Sequence, residues 1–471
     1  MSHPEEHHAV IGAGLVGSLW AIILANKGYR VSLYDRRPDP RLNTIDGGRS
    51  INLSLSDRGW RALEIAGVAS LVREIAMPVN GRRLHSINGD TNFQSYGSDE
   101  QCIYSVSRAG LNMILVEAAE KNLAVKVLFD HPCSGYSLNE NSVSLHFKGL
   151  ESISHDRVFG TDGVFSAIRG TMTRKDRFDY SQAYLPHGYK EIEMQPNTNG
   201  GYKMAEDGLH IWPRGKFMFM ALPNPGGSFT CTLFAPFEGK ESFENIKSDD
   251  DVLGFFKKHF PDSLEHLPNL IDDWNSNPVS SMCTVKCYPW NDSSRVALLG
   301  DSAHAIVPFY GQGMNSGFED CSVLSNLMDE IDGIPDESEW ENVLGKYSEL
   351  RKPAGDAILD LALHNYIVMR DKTMDPVFQL QKKIESLLTT TYPERWKPLY
   401  SLVTFTHTPY QNAWRRGQLQ QAVMNEVMSH PDIESKWNSQ EIMALAIRTL
   451  DKFEYDPSFL DGSTSLLSLD V

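Results

Sequence analysis

The segment Gly12-Ala-Gly14-Leu-Val-Gly17 restricts the fold more than any other. It follows a short apolar strand, His8 to Ile11, and opens a helix whose apolar spacing runs from Leu15 to Lys27. Gly28 then serves as a C-terminal stop. Tyr29 to Tyr34 reads as a second strand, ending at Asp35. Three glycines at this spacing arise by chance in many chains. Between a strand and a helix, with an acid about 20 residues further on, they mark a nucleotide-binding βαβ unit. Gly12 permits the tight turn, Gly14 lets the main chain approach a pyrophosphate, and Gly17 lets the helix lie close on the sheet. The helix start offers unpaired N–H groups to phosphates, and Asp35 is placed to accept from a ribose diol.

The formal charge of −17 argues against a nucleic-acid protein, which needs a basic footprint, and against docking on anionic lipid. With 471 residues, two to three domains are expected, and cores large enough to need no disulfide or metal staple. No signal peptide precedes Gly12, no apolar run reaches bilayer length, and the tail from Asp451 to Val471 is polar and acidic. A cytoplasmic chain without a membrane anchor is expected. Cys102, Cys133, Cys231, Cys283, Cys287 and Cys321 are scattered and complete no metal set, so they read as small hydrophobes in a reducing compartment.

Further along, Arg58 to Ala76 and Arg108 to Lys121 read as helices, and Ala124 to Val158 as strands. Pro186 to Val285 carries short alternating runs (Gly208 to Trp212, Lys216 to Leu222, Ser228 to Phe234) cut by glycine and proline. An antiparallel sheet inserted into an α/β domain fits this pattern. Ser248-Asp-Asp-Asp251 reads as a helix cap. Val296 to Leu299 resumes the α/β pattern, and nearly everything after Trp340 reads as helix. The expected domains are 1–77, 105–180 and 286–338 for the nucleotide, 78–104 and 181–285 for the substrate sheet, and 339–471 for a helical region.

Two later stretches choose the nucleotide. Val158-Phe-Gly160-Thr-Asp162-Gly163-Val-Phe-Ser166-Ala-Ile-Arg169 resembles the aspartate-glycine motif of single-component FAD-dependent aromatic hydroxylases. Leu298-Leu-Gly300-Asp301-Ser-Ala303-His304 resembles their glycine-aspartate motif. The resemblance implies that Asp301 binds the ribityl chain of FAD, and that Asp162 and Arg169 support the dinucleotide and the path of NADPH. Pro308-Phe-Tyr-Gly311-Gln-Gly313-Met-Asn315-Ser-Gly317 opens a small-residue helix whose positive end can stabilise reduced flavin.

Less generic stretches resemble the kynurenine 3-monooxygenase family. They include Arg49-Ser-Ile-Asn-Leu-Ser-Leu-Ser-Asp-Arg-Gly59, Leu185-Pro-His-Gly-Tyr189, His210-Ile-Trp-Pro-Arg214 and Gly317-Phe-Glu-Asp320. The resemblance implies that an arginine, two tyrosines and an asparagine hold the amino-acid end of the substrate. By motif these fall on Arg82, Tyr96, Tyr400 and Asn365. Arg83 competes with Arg82, and the following leucine-histidine and the spacing to Tyr96 favour Arg82. Asn365 also lies within an apolar helical stripe with Ile358, Leu361, Ala362 and Met369, where an amide needs a partner. Phe234 and Phe309 map to aromatic walls. Tyr310 stands where members vary, and Val368 where members carry glutamate. Implied FAD contacts extend to Val16, Tyr34, Asp35, Arg36, Arg37, Ser54, Arg108, Gly313, Met314 and Asn315, besides Gly12, Gly14 and Gly17.

The implied reaction is NADPH- and O2-dependent hydroxylation of L-kynurenine, next to its ring amine, through a flavin C4a-hydroperoxide. Because that amine already enriches the ring, no residue needs to ionise it, and no nucleophile–base triad is expected. His187, His210 and His304 then read as structural. Rival readings are a related FAD monooxygenase acting on another aromatic acid, a phenol or a quinolone, an NAD-dependent dehydrogenase, and a flavin-binding sensor. Oligomeric state stays open, a homodimer included.

Overall fold

The computed structural model describes residues 6–42, 51–96, 101–369 and 375–455. Arg49, Gly97, Arg370 and the tail after Tyr455 lie outside the described residues.

A six-stranded sheet carries the nucleotide turn. Its order is Asn291–Asp292, Val296–Leu298, Arg157–Gly160, His7–Ile11, Arg30–Tyr34 and Val125–Leu128. All neighbours are parallel except the first pair. Parallel strands are covered on both faces and so read as unbroken apolar runs. Val10, Val158, Val296 and Leu298 accordingly have no accessible surface. The helix Leu15–Asn26 is apolar nearly all round because it is enclosed by the sheet and by the helices Arg108–Lys121 and Gly313–Asp329. Arg58 to Ala76 is not one helix. Asp57–Ala66 stops at Gly67, whose φ of 75° is left-handed, and a separate turn, Ala69–Arg73, follows.

The second sheet has seven strands, in the order Ser280–Tyr288, Asp179–Met194, Phe229–Pro236, Met218–Pro223, Gly208–Pro213, Gly81–His85 and Thr91–Ser95. It departs from the antiparallel expectation in one pair, since Gly81–His85 runs parallel to Gly208–Pro213. Those strands come from distant segments, so no hairpin constrains their direction. Alternation gives the sheet two dry faces. Leu209 and Ile211 join the cluster that holds Phe234 and Phe309. Trp212 faces the other way, under Phe256, Phe260 and Trp274 from the helices Asp249–His259 and Leu270–Ser276 and the turn between them. Ser248 caps the first of these helices in a reciprocal capping box with Asp251, as expected.

The long helix Glu337–Ile367 starts on its own capping box, Asp336 with Glu339. The short helix Leu399–Thr404 returns to the face of the second sheet. Pro376–Thr391, Tyr410–Met428 and Gln440–Glu454 close a separate core around Ile384, Val423 and Ile442.

Candidate active site

At the nucleotide turn Gly12 has φ of 105° and its N–H donates to the Tyr34 carbonyl at 2.7 Å. A Cβ on Gly17 would stand 1.9 Å from the Gly12 carbonyl oxygen and 2.4 Å from Thr161 Oγ1, so only glycine fits there. A Cβ on Gly14 would meet nothing within 4 Å. Open space thus lies over the start of the helix Leu15–Asn26, which no side chain caps. Tyr34 turns its ring into the core, where its hydroxyl meets His155 Nε2 at 3.0 Å. Only its main chain is left for a cofactor. Asp35 accepts from Ala13 N at 2.9 Å and from Arg37 N, Nε and Nη2 at 2.8, 3.0 and 2.8 Å. Burial raises its pKa, but the Arg37 bonds outweigh this and hold the carboxyl below its usual range. All four acceptor positions are filled. A ribose diol reaches Asp35 only when Arg37, 61% exposed, swings aside. Arg36 beside it is exposed.

Val16, in the nucleotide turn, meets the glycine-aspartate motif and the helix that starts at Gly313. A Cβ on Gly300 or Gly317 would lie 3.0 or 2.7 Å from Val16 Cγ2. Asp162 Oδ2 accepts from Ala167 N at 2.7 Å and Ile168 N at 3.3 Å, while its Oδ1 is sealed from solvent with no hydrogen bond. Arg169 is buried, and its guanidinium donates to the Ser302 and Val164 carbonyls at 2.7 and 2.5 Å. It brackets two motifs together and is not open to NADPH. Asp301 keeps accessible surface although Gly300 and Ser302 on either side are buried. Crowding by protein still raises its carboxyl pKa, and the Arg108 charge pulls it back only in part. A carboxylate both accessible and desolvated lines a cleft. Arg108, exposed at the start of its helix, shares that cleft.

The helix Gly313–Asp329 also starts without a side-chain cap, leaving the N–H groups of Gly313 and Met314 to a ligand. Asn315 is fully buried. Its Nδ2 donates to the carbonyls of Ser54 and Gly311 at 2.7 and 2.9 Å, and its Oδ1 accepts from Ser56 N at 3.0 Å. Its side chain is a clamp between the strand Asn52–Leu55 and the helix, so only its main chain is left for a cofactor. Open space over Gly14, two uncapped helix starts, accessible Asp301 and the unpartnered Asp162 oxygen together fit an anionic dinucleotide with a polyol chain.

Glu319 and Asp320, singled out in the sequence only within the stretch Gly317-Phe-Glu-Asp320, anchor a buried network. Asp320 Oδ2 meets His304 Nε2 at 2.6 Å and Gly300 N at 2.8 Å, and its Oδ1 accepts from Arg351 Nε at 2.7 Å. Arg351 also reaches Glu319 at 2.6 Å, and Glu319 pairs with Arg58. The Arg58 guanidinium lies 4.0 Å over the Tyr410 ring, whose hydroxyl donates to Gln312 Oε1 at 2.9 Å. This buried chain ties the loop of Asp301 to the helix Gly313–Asp329 and the C-terminal region.

The expected substrate residues converge from several elements on one apolar cluster. The Arg82 guanidinium stands 4.6 Å over the Tyr400 ring and 5.5 Å over that of Tyr96, and these two rings stack at 4.9 Å. Tyr310 also stacks on Tyr400, at 5.7 Å. Arg82 Nε and the Tyr96 hydroxyl are sealed from solvent without an aligned hydrogen bond. Among the described residues no carboxylate pairs with Arg82. Arg83 instead pairs with Asp207 at 2.8 Å and lies over Phe93 at 4.7 Å, so the pleat selects Arg82 for the pocket. Asn365 Nδ2 donates to the Phe309 carbonyl at 2.6 Å. Phe309 meets Phe234 at 4.9 Å and stacks on Tyr366 at 4.2 Å. Val368, at the end of the long helix, brings no ionisable group.

Residues 7–362 match the family described as FAD binding domain. The chain is 44% identical over 451 residues to the kynurenine 3-monooxygenase of Christiangramia forsetii, covering 95% of this chain and 99% of that protein. It is 41% identical over 453 residues to the kynurenine 3-monooxygenase of Dictyostelium discoideum, covering 94% and 97%. Among solved structures, the tetrameric form of 2-methyl-3-hydroxypyridine-5-carboxylic acid oxygenase is similar with a TM-score of 0.64 at 20% identity, over 80% of this chain and 96% of that one. Klebsiella pneumoniae HpxO complexed with FAD and uric acid gives 0.64 at 17% identity, over 80% and 92%. The structural likeness carries the fold, an FAD-binding α/β domain with a second sheet and a helical C-terminal region. On sequence and fold together, the chain belongs to the kynurenine 3-monooxygenase family of FAD-dependent aromatic hydroxylases.

Proposed function

We propose that this chain hydroxylates L-kynurenine to 3-hydroxy-L-kynurenine with NADPH and O2, in tryptophan breakdown. The observation that carries this reading is Arg82, a cation with a sealed Nε and, among the described residues, no counter-ion, at the edge of an aromatic chamber. A substrate carboxylate supplies the missing charge. The hydroxyls of Tyr96 and Tyr400 flank that carboxylate, and Asn365 orients the amino-acid end. Phe234 and Phe309 wall the ring and exclude water, which suits a site whose work is positioning. The substrate is a zwitterion, so the charge of −17 serves solubility rather than steering.

FAD would be held by the main chain at Gly12, Gly14, Tyr34, Gly313, Met314 and Asn315, and by Asp35, Arg36, Arg37, Ser54, Arg108, Asp162 and Asp301, with Val16 and Gly17 shaping the turn. Bound FAD supplies the redox chemistry, accepting hydride from NADPH and activating oxygen for transfer to the arene. The nucleotide unit then spans 1–77, 105–180 and 286–338, and the substrate sheet 78–104 and 181–285. A cytoplasmic location belongs to this reading; among the described residues no helix is long and apolar enough to cross a membrane.

The test is NADPH consumption by the purified yellow protein, with and without kynurenine, and the mass of the product. Kynurenine-stimulated consumption with one oxygen atom added to the substrate is expected. Consumption that ignores kynurenine, or responds only to another aromatic acid, would overturn it.

A further inference from the structure

Apart from Ile211 in the apolar cluster, the stretch His210-Ile-Trp-Pro-Arg214 has no part in the site above, although it is among the least generic in the chain. Its work lies behind the substrate sheet. Arg82 pairs in register with Leu209 and Arg83 with His210. The pleat therefore places His85 with Arg83, on the face away from Arg82. There His85 Nδ1 is 2.9 Å from Asp262 Oδ2, His85 Nε2 is 2.8 Å from His210 Nδ1, and His210 Nε2 is 2.7 Å from the Ala205 carbonyl oxygen. Trp212 Nε1 donates to the same Asp262 oxygen at 2.8 Å, and its ring stacks on His85 at 3.9 Å. His85 and His210 are 6% and 2% exposed.

The contacts fix the proton count. A carbonyl only accepts, so His210 Nε2 carries a hydrogen. Burial raises the Asp262 pKa, but the bonds from His85 and Trp212 hold it below its usual range, so it is ionised and only accepts. His85 Nδ1 therefore carries a hydrogen too. The contact between the rings needs one more, which makes three ring hydrogens where two neutral imidazoles have two. Burial pushes the His210 pKa down to about 4, which leaves the extra proton on His85.

We propose that His85 is a buried imidazolium that acts as a positioning residue for Arg82. It ties the strand Gly81–His85 to the neighbouring strand through His210 and to the turn Pro261–Leu264 through Asp262. The charged groups that face this chain are few. Arg83 on the same strand is neutralised by Asp207. Arg214 donates to the carbonyls of His85, Ser86 and His259 at 2.9, 3.1 and 2.6 Å. His259 in turn pairs with Glu241. Asp262 is the one carboxylate among the described residues that touches the pair. Without the hydrogen that this imidazolium supplies, two ring lone pairs would face each other across the 2.8 Å contact, so the clamp exists only in this form. This deepens the proposed function, because it rests on Arg82 as the carboxylate partner.

The experiment has two arms on the holoenzyme. Histidine 15N NMR at neutral pH, with His85 assigned through His85→Gln, is expected to show both ring nitrogens protonated in His85 and one in His210. A bare nitrogen on His85 overturns the proposal without reference to substrate. The second arm follows kynurenine affinity against pH, read from the flavin absorbance, in wild type and Asp262→Asn. The alkaline loss of affinity is expected to begin roughly one pH unit lower in the variant, as removal of an adjacent opposite charge implies. The substrate's own titration is common to both and cancels. Superimposable profiles overturn the positioning role, whereas a wild type blind to kynurenine at every pH defeats the proposed function and leaves the NMR result standing. If Asp262→Asn does not fold, the wild-type spectrum alone decides.

Discussion

The guanidinium carbon of Arg82 stands 4.6 Å from the centre of the Tyr400 ring, and Arg82 Nε is sealed from solvent with no hydrogen bond. A cation held this way gains from the ring face but, among the described residues, still lacks a counter-charge. Arg82→Ala is therefore expected to weaken kynurenine binding by about 3–5 kcal/mol, the cost of breaking a buried ion pair. That is roughly two to three and a half decades in Kd. Arg83→Ala removes only a partly exposed pair with Asp207 and should change Kd by less than about tenfold. Titration of the flavin spectrum with kynurenine measures both. Equal effects at the two positions would remove Arg82 from the site.

Gly14 and Gly17 separate cofactor binding from folding. A methyl group on Gly17 collides with main chain at 1.9 Å, whereas one on Gly14 enters open space. Gly17→Ala is expected to lower the melting temperature of the flavin-free protein. Gly14→Ala should leave that temperature within about 1 °C, yet purify with little FAD, because its methyl group occupies the pyrophosphate approach. Differential scanning calorimetry of the flavin-free proteins and the flavin-to-protein absorbance ratio decide. Full flavin content in Gly14→Ala would place the dinucleotide elsewhere.

The parts of this site that were legible in the sequence are those with local causes. The turn at Gly12, the helix stop at Gly28 and the cap at Ser248 depend on residues a few positions apart. Asn365 was visible as an amide in an apolar stripe, and the structure supplies its partner, the Phe309 carbonyl. Other features depend on what arrives from far along the chain. The choice of Arg82 over Arg83 follows from the pleat and from Asp207, which comes 124 positions later. The Tyr34 ring is drawn into the core by His155, 121 positions away. Arg58 and Glu319, separated by 261 positions, carry no spacing signal at all. The helix expected over Arg58 to Ala76 broke at Gly67, where a left-handed residue outweighed apolar periodicity.

Asp320 gives the fold an acid sensitivity. Burial pushes its pKa up, but the charges of His304 and Arg351 outweigh this and hold it below the usual carboxylate range. A depressed folded pKa contributes stability that is present above the unfolded value of about 4 and is lost as pH falls through the folded value. Asp320→Asn removes one of the two carboxylates that hold Arg351, and the partner of His304, and is expected to cost up to about 3–5 kcal/mol at pH 7. Its stability should also fall less steeply than that of wild type as pH drops below about 4. Urea denaturation across that range measures both. Parallel acid limbs would show that other carboxylates carry the effect.

Asp301 is predicted to work against the fold and for the cofactor. Its pKa is raised by desolvation from the protein crowded around it, although the residue keeps accessible surface, so at neutral pH an ionised carboxylate sits where the protein alone disfavours charge. A raised folded pKa in an acid means the ionised form destabilises the flavin-free state, and replacing it relieves that cost. Asp301→Asn without flavin should therefore melt at the wild-type temperature or above. The same variant should lose FAD, because an amide cannot replace the charged acceptor facing a polyol hydroxyl. A loss of at least about tenfold in FAD affinity, the equivalent of 1.4 kcal/mol, is expected from fluorescence titration of the flavin-free protein. Wild-type flavin affinity in the variant would sink the assignment, and a lowered flavin-free melting temperature would show that Asp301 holds the loop rather than the ligand.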